Sequence, residues 1–263
     1  MGLSGSARTR RAGRAIALGG LLLATLTACS SEDLPTFGMP ARNVTNQAPR
    51  ILSLWQGAWI AALAVGLLTW ALILWPAIAY RRKRNATGLP AQTRYNLPIE
   101  VFYTAVPIIM IAVFFFFTAR DEDRIMRISD HPDHQIRVTG LQWSWQFTYL
   151  SDGGPLATVT GTPGDPPTLV LPKGQSVQFR LHSNDVIHSF WVPAFLFKMD
   201  VIPGRHNTFE ITPTKLGHFD GRCAELCGQD HARMLFNVRV VSPQEYDAYV
   251  TDLKARVVEG IAQ

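Results

Sequence analysis

Two membrane-spanning helices, then an all-β sandwich or Greek-key domain with a C-terminal helix, make up the fold class this sequence predicts. Three observations carry it. Two charge-free apolar runs, Ile51 to Tyr80 and Val101 to Ala119, lie in the first half of the chain. Beyond residue 120 come many short β-branched or aromatic runs, separated mostly by Gly, Pro, Asp and Asn. Charge divides the same way: residues 1–119 hold 11 Lys and Arg against 3 Asp and Glu, and residues 120–263 hold 14 against 17. The basic excess thus sits beside the apolar runs, where membrane topology places it, and does not indicate nucleic-acid binding.

The first 14 residues are basic and carry no acid, and Ala15 to Leu26 is apolar. Leu26-Thr27-Ala28-Cys29 follows. This is the layout of a secretory signal, expected over residues 1–28. Its ending resembles a bacterial lipoprotein box, which would make Cys29 the lipidated first residue of the mature chain. An ordinary signal cut nearby, with Cys29 incidental, is the alternative. Residues 29–50 are polar and turn-rich and suit an exported linker.

Residues 51–119 are expected to form a two-helix transmembrane hairpin. Ile51 to Tyr80 would span about 45 Å as a helix, against a hydrocarbon core of roughly 30 Å. Trp55, Trp59 and Trp75 lie toward its ends, as interfacial anchors do. The connection to the second run carries Arg81, Arg82, Lys83, Arg84 and Arg94. That loop should be cytoplasmic, which leaves residues 120–263 outside a bacterial plasma membrane. The signal segment requires the same orientation.

In residues 120–263 the strand-like runs are Ile136 to Tyr149, Thr168 to Leu171, Ser176 to Leu181, Val186 to Val192, Thr208 to Thr212 and Leu235 to Val241. Their number and spacing suggest a sandwich or barrel. Residues 151–167 read as a long turn-rich excursion. Ser242-Pro243-Gln244-Glu245 is a capping box that opens a helix to about Val258.

The segment GRCAELCGQDHARM gathers Cys223, Glu225, Cys227, His231 and Met234 within twelve residues, and His188 lies 35 positions before Cys223. Thiolates and a thioether are soft ligands and imidazole is intermediate, a set that favours copper and could also hold zinc. A mononuclear blue-copper site needs one Cys, two His and a weak Met. Here a second Cys is present, so the two thiolates can bridge two metal ions, each taking one His. A disulfide between Cys223 and Cys227, ordinary in an exported domain, and a structural Cys2His2 zinc site are the alternatives.

At these residues the chain resembles subunit II of the haem-copper cytochrome c oxidases. The pattern Cys-x-Glu-x-Cys-x-x-x-His-x-x-Met resembles the family's copper A loop. DVIHSFWVP with KMDVIPGRHN resembles its first-histidine strand and the loop after it, and GLQWSWQF its aromatic strand. The resemblance covers roughly residues 45–245. It implies a cupredoxin-like fold and a binuclear copper A centre. Cys223 and Cys227 would bridge two copper ions, His188 and His231 would each bind one, Met234 would be a weak ligand, and Glu225 would offer its carbonyl. The Glu225 side chain would help hold a magnesium ion shared with the catalytic subunit I. Trp143 would be the electron entry from cytochrome c, and Glu100 would lie at the mouth of a proton channel. Oxygen reduction would take place on the partner, with its haems and a further copper.

Ser144 and Leu141 depart from the family's pattern at the donor side, so a membrane-tethered cytochrome c is a candidate donor. A quinol oxidase subunit II lacks these ligands. A thioredoxin-like copper chaperone places its His well downstream, and a nitrous oxide reductase lacks the paired membrane helices. Glu100 also has a plain reading, as an acid favoured in the first turn of a helix.

Overall fold

Both apolar runs are helices; the first begins three residues before its charge-free stretch, and the second extends past both ends of its own. The computed structural model describes residues 36–258 apart from 41–42, 82–87, 89–91, 93 and 152–153. The segment 1–28 and Cys29 lie outside the described residues, as do Arg82, Lys83 and Arg84. Two compact units divide the chain, Met1–Ala41 and Arg42–Gln263. In the first, a turn is closed by Met39 N–H donating to the Thr36 carbonyl at 3.2 Å. All elements below belong to the second.

Helix α1 (Ala48–Ala79) has 32 residues and α2 (Leu97–Ile125) has 29. Both are long and apolar enough to cross a membrane, and their apolar side chains stand exposed, Leu67 and Phe115 at 73% each. In water that exposure would be costly; in lipid it is the expected state. Asn96 caps α2 by accepting from Ile99 N–H at 3.4 Å. Helix α2 continues through Arg120-Asp121-Glu122-Asp123-Arg124, six residues past Ala119. Asp121, nearly buried, accepts from Arg50 at 3.4 Å and from Arg120 at 3.1 Å. That ion cluster ties the start of α1 to the end of α2.

The remainder is a sandwich of two five-stranded sheets. The strands are β1 (His134–Leu141), β2 (Ser144–Ser151), β3 (Gly154–Thr160), β4 (Thr168–Pro172), β5 (Val177–Ser183), β6 (His188–Val192), β7 (Phe197–Val201), β8 (Asn207–Ile211), β9 (Gly217–Cys223) and β10 (Leu235–Val241). One sheet has the order β3-β2-β1-β5-β8, the other β4-β10-β9-β6-β7. Pairs β1·β5 and β4·β10 are parallel and the others antiparallel. The expected cupredoxin-like sandwich is therefore present. Its helix α3 (Pro243–Val258) begins at the expected capping box: Glu245 N–H donates to Ser242 Oγ at 3.3 Å, and Ser242 N–H to Glu245 Oε2 at 3.1 Å. Tyr246, Val250 and Leu253 form its buried face.

Several stretches differ from the sequence expectation. The run Ile136 to Tyr149 is not one strand but a hairpin, turned at Gln142-Trp143. The excursion 151–167 contains β3, which gains its place by pairing with β2. Strands β7 and β9 lie in FKMDV and GHFDGRC, whose Lys, Asp and Gly conceal them from propensity. Residues 43–47, expected as linker, pack on the sandwich: Thr45 bridges Pro213, Asn46 N–H donates to the Thr212 carbonyl at 3.0 Å, and Val44 is fully buried.

The core is aromatic. Phe236 stacks on Phe190 with ring centroids 4.8 Å apart, and Trp145 and Phe147 each meet its edge at 5.5 Å. Gly221 makes the stack possible, because a Cβ there would fall 2.1 Å from Phe236. This aromatic block underlies one end of the sandwich, where His188 opens β6 and Cys223 closes β9.

Candidate metal centre

Strand pairing sets His188 and Cys223 side by side. In the β6·β9 pair Phe190 lies opposite Cys223, so the first residue of β6 and the last of β9 share one end of the sheet. The loop that leaves β9 is then pinched at its base. Cys223 N–H donates to the Met234 carbonyl and Ala224 N–H to the Ser189 carbonyl, both at 3.0 Å. A 3-10 turn, His231–Arg233, returns the chain to β10 and points Met234 inward, fully buried. The short loop thus brings Cys227, His231 and Met234 back over Cys223.

The donor atoms converge. Cys223 Sγ and Cys227 Sγ are 3.8 Å apart, and both thiols are free. A disulfide needs about 2.05 Å, so the bonded alternative is not what the structure holds. His188 Nδ1 lies 4.0 Å from Cys223 Sγ, and His231 Nδ1 lies 3.6 Å from Cys227 Sγ. Met234 Sδ is 3.7 Å from Cys227 Sγ, and the Glu225 carbonyl is 3.2 Å from Cys223 Sγ. One tetrahedral metal with ordinary bonds would set two thiolates about 3.8 Å apart and a thiolate and imidazole about 3.5 Å apart. The residues therefore fit a metal at this place. His188, Cys223 and Cys227 have their ligand atoms all within 4.8 Å of one another. All six positions singled out in the sequence meet here.

Around the donors lies a layer of residues that the sequence did not single out. Asp185 Oδ1 accepts from His188 Nε2 at 2.7 Å. That bond places the proton on Nε2 and leaves the Nδ1 lone pair facing the sulfurs, as ligand histidines require. The same carboxylate accepts Val186 N–H at 2.6 Å and Gln142 N–H at 2.7 Å. Gln142 Nε2 in turn donates to the Cys227 carbonyl at 2.8 Å. The available signal was an acid three residues before a ligand histidine. Gly140 completes the cradle: a Cβ there would lie 2.7 Å from the His188 ring.

Trp143 is half-buried in the β1–β2 turn, and its Nε1–H donates to the Cys227 carbonyl at 3.2 Å. Trp145, two residues on, is fully buried beneath His188, with ring centroids 6.1 Å apart. Gly228, at φ +128°, lets the metal loop lie directly on Trp143. The Glu225 side chain is exposed beside Leu226, which is 78% exposed. Glu100 does not belong to this cluster. It stands in the first turn of α2, where its carboxylate accepts the Asn96 N–H at 3.0 Å.

The two thiols differ electrically. Burial opposes ionisation of Cys223, but hydrogen bonds with His188 and the backbone outweigh it and bring the thiol down to about 7. Cys227 is pushed up to about 12, by burial first and then by the Cys223 charge. Burial would lower His188, but its bonds to Cys223 and Asp185 hold it above its usual value. Asp185, despite its own burial, is held below the usual carboxylate range by His188 and two backbone N–H groups. A cation between the sulfurs would remove the repulsion that keeps Cys227 protonated.

Comparison with known proteins finds relatives along most of the chain. A family model described as "Cytochrome C oxidase subunit II, periplasmic domain" matches residues 165–241. The chain is 50% identical over 284 aligned residues to the probable cytochrome c oxidase subunit 2 of Streptomyces avermitilis, covering 93% of this chain and 89% of that protein. It is 36% identical over 304 residues to cytochrome c oxidase subunit 2 of Mycobacterium bovis, covering 95% and 84%. Among solved structures, the periplasmic domain of subunit II of cytochrome oxidase from Bradyrhizobium japonicum matches 49% of this chain and 99% of its own, at 34% identity and TM-score 0.44.

Proposed function

The chain belongs to the cytochrome c oxidase subunit II family, and on that premise we propose that it is the subunit through which electrons enter the oxidase. As a member it is part of an oxidoreductase complex and has no oxygen-reducing site of its own. It would accept electrons from cytochrome c at a binuclear copper A centre. From there they would pass to the haem-copper catalytic subunit, where oxygen is reduced and protons are pumped. The observation that carries this reading is the convergence of two unbonded thiols, 3.8 Å apart, with His188, His231 and Met234.

Two copper ions held there would supply a one-electron relay whose bonds change little on reduction. The chain's own residues do the rest. Cys223 and Cys227 would bridge, His188 and His231 would each hold one ion, and Met234 and the Glu225 carbonyl would be weak outer ligands. Asp185 orients His188, and ions held by all these ligands would have no open position for a substrate. Trp143 offers the donor a path of one hydrogen bond to the Cys227 backbone. The exposed Glu225 carboxylate is free to take part in a magnesium site with subunit I. Glu100 keeps its proposed place at a proton-channel mouth alongside its capping bond.

The domain limits proposed are 1–28 signal, 29–50 linker, 51–119 hairpin and 120–263 copper domain. The copper domain would lie outside the plasma membrane, with Cys29 a lipid anchor. Metal content and electron paramagnetic resonance of the purified full-length subunit test the central claim. Two coppers per chain sharing one unpaired electron are expected. One copper, or zinc retained in preference, overturns it.

A further inference from the structure

The outer face of the β3-β2-β1-β5-β8 sheet presents a charge arrangement that the metal centre does not explain. Arg137 and Arg180 occupy directly opposite positions on the parallel strands β1 and β5, with Thr208 of β8 next in the row. Both arginines are exposed, and their neighbours Ile136, Val138, Phe179 and Leu181 point to the core. Like charges in opposed positions are unfavourable unless something of opposite sign joins them. Nothing among the described residues does so. Arg180 Nε donates to Gln178 Oε1 at 3.2 Å, and neither arginine has a carboxylate partner. Glu210, in the neighbouring row, has its Oε2 taken by the backbone N–H and hydroxyl of Ser129, at 3.0 and 2.7 Å.

Next to the arginines the rings of His182 and His206 stack, 5.4 Å apart and 18° from parallel. Together these four side chains with Leu181 and Thr208 line an open groove of about 490 Å³. His182 Nε2 is bound to Asn184 Oδ1 at 2.7 Å, while its Nδ1 is shielded from solvent and has no hydrogen-bond partner.

We propose that this groove docks a carboxylate-rich polypeptide segment of a neighbouring protein. Two adjacent guanidinium forks match carboxylates. A groove of about 490 Å³ has room for a stretch of chain carrying several carboxylates, whereas a single inorganic phosphate ion fills little of it.

The test uses the purified full-length subunit in detergent and a fluorescent ten-residue polyglutamate peptide, followed by anisotropy. Arg137→Gln with Arg180→Gln should weaken binding at least tenfold, about what the loss of charge-assisted hydrogen bonds implies. Lys173→Gln with Lys215→Gln, which removes the same charge elsewhere, should leave it within about twofold. Equal losses in the two double variants, or no binding to the unaltered subunit, overturn the proposal. So does displacement of the peptide by inorganic phosphate or dihexanoyl phosphatidylglycerol at equal concentration, which would assign the groove to small anions or to lipid.

Discussion

Replacing Gly228 by Ala tests how the metal loop is seated on the β1–β2 turn. Gly228 has φ +128°, a conformation that an L side chain enters at a cost of about 1–3 kcal/mol. Its Cβ would also stand 2.9 Å from Trp143 Nε1 and 3.2 Å from Gln142 Nε2. Those two atoms donate to the Cys227 carbonyl at 3.2 and 2.8 Å. Moving both aside loses two hydrogen bonds, about 0.5–1.5 kcal/mol each. Gly174→Ala is the control, since Gly174 has φ +80° and nothing within 4 Å of a Cβ. Both variants stiffen the unfolded chain by the same ~0.4–1 kcal/mol, which cancels between them. Gly228→Ala should therefore be less stable than Gly174→Ala by roughly 1–3 kcal/mol in urea unfolding of the metal-free subunit. It should also lose copper faster to a chelator, while Gly174→Ala should not. Equal unfolding midpoints for the two variants would refute the claim that the loop rests on Trp143 and Gln142.

Two further outcomes follow from the packing and the charges. Gly221→Ala drives a methyl into the Phe236 ring, and overpacking of this kind costs about 1–3 kcal/mol. Adding Phe236→Leu should recover part of the thermal stability, and a double variant worse than the sum of the singles would contradict the contact. Asp133 is held below the ordinary carboxylate value by the Ser176 backbone N–H and then its hydroxyl, at 2.7 and 2.9 Å. A depressed folded value means its stabilisation is complete above about pH 3.9 and fades as pH falls through the lower value. The urea midpoint difference between the natural chain and Asp133→Asn should be level from pH 7 to about 4 and shrink below it. A difference that widens on acidification would show the opposite sign.

The chemistry of the metal centre is legible in the sequence because most of it is local. Five of its residues fall between Cys223 and Met234, and soft ligands at that density restrict the metal before any fold is known. The spans of α1 and α2 are equally local, since in lipid each helix must satisfy its own backbone and needs only length and apolarity. The capping box at Ser242 and Glu245 belongs with them. Strands β3, β7 and β9 are different, because a strand is made by its neighbours. GHFDGRC is a strand since β10 and β6 flank it and Gly221 leaves room for Phe236. The bond from Asp185 to His188 joins near neighbours, but the Gln142 contacts cross 43 and 85 residues. Arg137 meets Arg180 only through a parallel pairing across 43 positions. Spacing along the chain names the candidate ligands. Long-range register sets the seat of Trp143 and the unpaired arginines, because register is a property of two segments and is written in neither alone.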